Sequence, residues 1–250
     1  MEEPVNYSVA DDIGHIELNR PDAANTIDLP LARALGEAAE RAAGDTNVRA
    51  VLLSGAGPRF CGGGDVGRFA GAEDPSGYVH ELAMTADAAI EILQTMAKPV
   101  VVAVSGAVAG GGLGIMLAGD VVVAAAGTKF VFAYPKIGLT PDCGTSVALP
   151  LAMGRQRALA FALRGTPLSA DEAREEGLVA EVAADPLERA RELATIWAAG
   201  ASEAYGQARR LLRAGADRPR EESRRDEADT IAARSTSAEA RDLFAAFLGR

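Results

Sequence analysis

The sequence predicts an α/β fold, a spiral of ββα turns over residues 1–185 followed by a helical C-terminal region over residues 186–250. Three observations carry that prediction. Short β-branched runs alternate with segments whose apolar residues recur at helical spacing. Glycine clusters stand where strands hand over to helices, as in PVVVAVSG leading to GGGLGIMLAG. From Pro186 onward the pattern is helical and rich in Arg, Glu and Ala.

The opening residues, VNYSVADDIGHIELNR, predict two alternating strands joined by an Asp-rich turn. DLPLARALGEAAERAAGD has apolar residues at helical spacing, with Gly44 near its end. VRAVLLSGAG is a buried strand that runs into the glycine-rich loop FCGGGD. Tyr78 to Met96 is again helical, stopped by Pro99. PVVVAVSG is the next strand, GGGLGIMLAG turns from it into a helix, and DVVVAAAGTKFVF supplies more strand. PKIGLTPDCGTS is then a loop, and VALPLAMGRQRALAFAL is expected to be helical beyond Pro150. LSADEAREEGLV has a Ser169/Glu172 capping box and a Gly177 stop, hence a short helix before the strand LVAEV. The C-terminal helices break near Ala216 to Pro219, and Leu243, Phe244, Phe247 and Leu248 mark an apolar tail suited to docking.

Composition narrows the function. About half of the 250 residues are apolar (48%) and charges are interspersed, as in an ordinary globular chain. A net charge of −10 argues against nucleic acid as a partner, since phosphate binding needs a basic face. Cys61 and Cys143, the only cysteines, stand in no metal-ligand spacing and suggest a reduced compartment. The acidic start MEEPVNYSVADD lacks a hydrophobic signal core, so a cytoplasmic protein is expected. The uncharged stretch between Lys98 and Asp120 could pass for a membrane span. Six glycines divide it and no aromatic or basic belt flanks it, so strand–turn–helix is the expectation.

Three places could do chemistry. FCGGGD, Phe60 to Asp65, lets backbone N–H groups approach a ligand that side chains would block. Its Gly62, Gly64 and Gly67 also match G-x-G-x-x-G, but the intervening loop separates them from the strand, unlike a dinucleotide fingerprint. AGGGLG, Ala109 to Gly114, lies at a helix start, where unpaired N–H groups welcome an anion or a developing oxyanion. Each loop alone is equally a plain turn or tight packing; together they offer the two donors of an oxyanion hole. The third place is Asp142, the sole acidic residue between Val121 and Ala170. It reads either as a helix cap or turn residue after Pro141, or as an acid/base. Ile137, Leu139, Val147 and Leu149 are expected to desolvate it, which suits a proton shuttle.

FCGGGD, PVVVAVSGAVAGGGLGIMLAGDVVVAAAGTKF and KIGLTPDCGTS, preceded by NRPDAAN and followed by LSADEAREEGLV, resemble the enoyl-CoA hydratase/isomerase (crotonase) superfamily. The resemblance spans nearly the whole chain, in order. It implies a crotonase-like spiral core, a C-terminal region for oligomerisation and active-site cover, and a homotrimer or dimer of trimers. It implies acyl-CoA thioesters as substrates, with coenzyme A part of the substrate and no separate cofactor or metal. Motif by motif, Gly64 and Gly111 would be the oxyanion donors, and Ala24, Cys61, Gly62, Asp65 and Tyr134 would line the substrate. For the CoA half, the basic residue frequent in the family's first loop is replaced by Ala23, while Arg59 and Arg68 flank FCGGGD.

The departures select among the family's reactions. The two hydratase glutamates correspond to Gly114 and Tyr134, so simple hydration is in doubt. Members with an aspartate at the place of Asp142 resemble isomerases, or aryl-CoA dehalogenases that use it as a nucleophile. A dehalogenase histidine would stand where this chain has Asp87, and neither His15 nor His80 replaces it. The expectation is therefore double-bond isomerisation with Asp142 as acid/base. The alternatives are a hydratase or dehalogenase/hydrolase of the same family, a non-catalytic acyl-CoA-binding homologue, and a dinucleotide-binding oxidoreductase. Cys143 is expected to be a small pocket-lining hydrophobe.

Overall fold

A computed structural model describes residues 3–215 and 218–249 of the chain. Its opening hairpin pairs β1 (Val5–Ala10) antiparallel with β2 (Ile13–Leu18). Asp11 and Asp12 make the turn at φ 52° and 61°, a left-handed region that aspartate tolerates better than most side chains. α1 (Leu29–Gly44) starts at Asp28, whose carboxylate accepts the Leu31 N–H, and β3 (Ala50–Gly55) pairs parallel with β2. A short helix not predicted by the pattern, α2 (Val66–Gly71), follows FCGGGD under an Asp65 cap. α3 (Pro75–Thr95) begins earlier than Tyr78, because Asp74 caps it and Pro75 takes its first position.

β4 (Val100–Val104), the short β5 (Ala107–Ala109) and α4 (Gly111–Leu117) divide the apolar stretch between Lys98 and Asp120. Among the described residues, no helix is long and apolar enough to cross a membrane. DVVVAAAGTKFVF supplies two strands: a turn closed by the Thr128 N–H on the Ala125 carbonyl separates β6 (Val121–Ala125) from β7 (Lys129–Val131). A 3-10 turn (Tyr134–Ile137) opens what the pattern reads as loop.

α5 (Thr145–Met153) begins well before Pro150, contrary to expectation, and α6 (Arg155–Arg164) follows after Gly154 at φ 79°. Pro150 is tolerated in α5 because the carbonyl one turn back belongs to Ser146, which is exposed and can turn to water. β8 (Leu168–Ser169) precedes α7 (Ala170–Glu175), where the Ser169/Glu172 capping box is formed and Gly177 ends the turn at φ 85°. β9 (Glu181–Ala183), α8 (Pro186–Ala199), α9 (Ser202–Gly215), α10 (Arg220–Ser235) and α11 (Ala238–Phe247) complete the chain. Of the expected break near Ala216 to Pro219, residues 216–217 lie outside the described residues; α9 ends before them and α10 starts after them.

Six strands form one sheet in the order β1-β2-β3-β4-β6-β9, parallel except for the first pair. Its two faces are buried in different ways. Leu31, Leu35, Ile90 and Leu93 of α1 and α3 share one core with Val51, Leu53, Val100 and Val102. Ala190, Ala194 and Ala198 of α8 pack on the other face, against Leu52, Val101 and Val123. Covering on both sides explains why VVVAV is apolar without alternation. A second sheet, β5-β7-β8, lies beside the first.

α9 is tied to this core by charge. Arg209, only 6% exposed, donates to Asp120 at 2.7 Å and to the carbonyls of Leu93 and Met96. The same Asp120 carboxylate accepts the Val100 N–H at 2.8 Å and Arg213 at 3.0 Å. α11 leaves Leu243, Phe244, Phe247 and Leu248 exposed.

Candidate active site

The second sheet carries the candidate site beyond its own strands. Cys61 pairs parallel with Val108 of β5, and Gly64 pairs parallel with Ile27, so FCGGG runs between β5 and the segment after NRPDAAN. The Gly64 bridge consists of the Gly63 carbonyl accepting the Ile27 N–H at 2.8 Å and the Asp65 N–H donating to the Ile27 carbonyl at 2.9 Å. With its two neighbours facing Ile27, Gly64 turns its own N–H the other way, away from that strand. That N–H has no backbone acceptor among the described residues. The Gly62 N–H, in contrast, is taken by the Ala24 carbonyl at 2.9 Å.

The two glycine loops touch immediately before Gly64 and Gly111. A side chain on Gly63 would begin 2.8 Å from the Ala109 carbonyl oxygen and 3.6 Å from the Gly110 Cα. Both residues have positive φ, 95° at Gly63 and 51° at Gly110, so a side chain is excluded by conformation as well as by space. Gly111 is the first residue of α4, where an N–H has no partner within the helix.

Asp142 stands at the same place. Its Oδ1 lies 3.5 Å from where a side chain on Gly111 would begin, and the Cys143 Sγ lies 3.2 Å from that point. Tyr134 Oη donates to Asp142 Oδ1 at 2.9 Å and sits 3.2 Å from the Thr145 hydroxyl. Thr145 is fully buried, and Phe132 meets the Tyr134 ring edge-on at 5.1 Å between centroids. Burial first, then the Asp142 charge, raises the Tyr134 hydroxyl above its ordinary pKa, so it remains a donor. Burial and the same charge likewise raise the Cys143 thiol, and burial pushes Cys61 up to about 12. Neither sulfur is a thiolate at neutral pH.

Of the structural readings of Asp142, the cap fails and the turn residue holds, since the Asp142 carbonyl accepts the Thr145 N–H at 3.0 Å. The cap position of α5 belongs to Gly144 and no side chain occupies it. The expected apolar enclosure is also different, because Ile137, Leu139 and Val147 are exposed and only Leu149 is buried. The 3-10 turn and the first turn of α5 swing these residues outward. A tyrosine hydroxyl and a thiol stand next to the carboxylate instead.

Gly114 is shut by backbone: a side chain there would begin 2.2 Å from the Cys143 carbonyl oxygen and 2.7 Å from its Cβ. Cys143 achieves that approach in the left-handed region, at φ 52°, followed by Gly144 at φ 65°. A non-glycine residue held there stores strain of about 1–2 kcal/mol.

The remaining candidates fall in the supporting frame. Cys61 is fully buried against Gly112. Asp65 Oδ2 accepts Arg20 at 3.1 Å while its Oδ1 caps α2 at the Arg68 N–H. Ala23 and Ala24 are half-buried beside that frame, Arg59, Arg68 and His80 are exposed, and His15 is engaged with Ser54 at 2.8 Å. Sequence reasoning missed Asn25, Arg20 and Thr145. Asn25, fully buried, accepts the Arg20 N–H at 2.7 Å and donates to the Ala56 and Arg59 carbonyls at 2.9 and 2.7 Å. Arg20 bridges Asp28 at 3.2 Å and Asp65 at 3.1 Å. Their signal was the motif NRPDAAN, in which the polar ends carry the frame. Grooves of about 420 Å³ between α9 and α10 and about 610 Å³ where α9 and α11 meet the core occur elsewhere, and neither is lined by these residues.

An enoyl-CoA hydratase/isomerase family model matches residues 9–250. The chain is 38% identical over 174 residues to a 1,2-epoxyphenylacetyl-CoA isomerase of Escherichia coli, covering 68% of this chain and 66% of that one, just under two thirds. It is 34% identical over 179 residues to a trans-2-decenoyl-[acyl-carrier-protein] isomerase of Streptococcus mutans, covering 70% and 68%. An enoyl-CoA hydratase from Polaromonas sp. JS666 has a similar solved structure, with a TM-score of 0.92 at 28% identity over 98% of this chain and 96% of that one.

Proposed function

Because the chain belongs to the enoyl-CoA hydratase/isomerase family, we propose that it moves a double bond within an enoyl-CoA thioester, with Asp142 as acid/base. The thioester oxygen accepts the N–H groups of Gly64 and Gly111. Asp142 takes the proton from the carbon between the thioester and the double bond, and the electron pair runs to the thioester oxygen as an enolate. The two donors stabilise that charge, each by roughly 3 kcal/mol. Asp142 then returns the proton two carbons along, and the double bond comes to rest beside the thioester. Both positions lie on one face of the dienolate, so one base serves. Tyr134 orients the carboxylate through Oδ1 and leaves Oδ2 to carry the proton.

One observation carries this reading: Asp142 Oδ1 sits beside Gly111 under the Tyr134 hydroxyl, while the Cys143 carbonyl fills the space at Gly114. A hydratase needs a second carboxylate to handle water, and a glutamate at residue 114 has no room. The same family reading gives a homotrimer or dimer of trimers, with the apolar row of α11 as a surface to be covered.

The test is an activity panel of 3-enoyl-CoA isomerisation beside 2-enoyl-CoA hydration, for the wild type and Asp142→Asn. Isomerisation that drops by a factor of about 10²–10⁴ in the variant fits the loss of a general base. Full isomerisation by Asp142→Asn refutes the base, and rapid hydration by the wild type refutes the preference for isomerisation.

A further inference from the structure

We propose that Asp87 is the group through which the proton held by Asp142 exchanges with solvent, an inference that rests on Asp142 being the acid/base. Asp87 belongs to α3, far from the site in sequence, and is exposed. Its Oδ1 lies 3.3 Å from where a side chain on Gly144 would begin. Asp142 Oδ1 and Cys143 Sγ lie 3.5 and 3.2 Å from the corresponding point on Gly111. Asp87 therefore reaches the Cys143–Gly144 turn from an exposed position on α3, and the half-buried Asp142 immediately precedes that turn. After burial, Asp142 and Cys61, the negative charge of Asp87 makes the smallest contribution to raising the Cys143 thiol, a sign that both carboxylates reach one group.

Gly144 has no side chain, and its φ of 65° is a conformation that a larger residue would resist. Neither carboxylate is engaged in an ion pair among the described residues. Tyr134 occupies Asp142 Oδ1 and leaves Oδ2 as the exchanging oxygen.

The step balances without a co-reactant. While the dienolate waits, the Asp142 carboxyl gives its proton to a water, which gives one to the Asp87 carboxylate, and Asp87 releases it to bulk solvent. The reverse sequence reloads Asp142 with a solvent proton. Part of the hydrogen placed on the distal carbon is then solvent-derived. A purely electrostatic role leaves that isotope content alone. Asp87 has one available, because it faces the start of α5, whose first turn holds no acidic residue and no side-chain cap.

The experiment is isomerisation of a 3-enoyl-CoA in D2O, stopped at low conversion. Deuterium on the distal carbon of the product is read by NMR as atoms per turnover, a ratio independent of rate. Expected is measurable deuterium with the wild type and, with Asp87→Asn, a drop of about tenfold or more, within what a positioned proton carrier contributes. Asp87→Glu should restore it. A wild-type product without solvent deuterium, or an Asp87→Asn product with the wild-type content, overturns the proposal while leaving Asp142 as base. Full-rate isomerisation by Asp142→Asn removes the base and the relay together. A thermal melt of Asp87→Asn separates loss of fold from loss of exchange.

Discussion

Replacing Gly114 by Ala should cripple the reaction while leaving the fold nearly intact. The added methyl begins 2.2 Å from the Cys143 carbonyl oxygen. An unstrained contact between such atoms is roughly 3.5 Å, so the Cys143 backbone or α4 must yield by about 1 Å. In a helix the exchange of glycine for alanine gains about 0.5–1 kcal/mol from reduced unfolded-state freedom. Overpacking costs about 1–3 kcal/mol. The net is a loss of about 0–2.5 kcal/mol, or a Tm lower by no more than about 10 °C for a chain of this size. Activity is more exposed than stability, because the displaced residue adjoins Asp142 and the yielding helix begins with Gly111. A misplacement of about 1 Å in a catalytic group costs on the order of 10²-fold. The assay is kcat/KM for 3-enoyl-CoA isomerisation beside a thermal melt. Gly127→Ala is the control, since a side chain there meets nothing within 4 Å. A Gly114→Ala protein with wild-type kcat/KM would refute the claim that this contact holds the base in place.

Further outcomes follow from the same geometry. Tyr134→Phe removes the donor to Asp142 Oδ1 and should lower kcat more than it raises KM, with a stability loss of about 1 kcal/mol for one neutral hydrogen bond, measured by denaturant titration. Cys61 and Cys143 should resist a thiol reagent at pH 8 in the native protein, and both should react once it is unfolded. The Cys61 thiol ionises near 9 when unfolded and at about 12 when folded, so the unfolded chain gives up this proton first. Its contribution is complete below pH 9 and is lost as the pH rises toward 12, which alkaline melts of Cys61→Ala against wild type will show. Arg209→Met leaves Asp120 with Arg213 alone and should cost about 3–5 kcal/mol, read from chemical denaturation.

Much of the fold was legible because its strands are covered on both faces and therefore spell out as unbroken β-branched runs. The capping box at Ser169 and the Asp-Asp turn were equally plain, since each is a contact between near neighbours in the chain. β5, β8 and α2 were not, because two, three or six residues are too few to display a period. Asp142 stood out as a carboxylate alone in an apolar stretch, yet its surroundings were misread: Ile137, Leu139 and Val147 are exposed, and the neighbours of the carboxylate are Gly111, Tyr134 and the adjoining Cys143. Asn25 and Arg20 escaped for a related reason. The motif NRPDAAN holds both, but their partners Ala56, Arg59 and Asp65 lie some 30 to 45 residues away, beyond what a local pattern records.

The bond between Arg209 and Asp120 has a consequence for the order in which the chain can fold. Synthesis delivers Asp120, β4 and β6 long before α9. Until residue 209 has left the ribosome, the carboxylate at the junction of α4 and β6 has neither of its guanidinium partners, and the Leu93 and Met96 carbonyls lack their buried donor. The polar groups at that end of the sheet therefore gain their buried partners only when α9 docks.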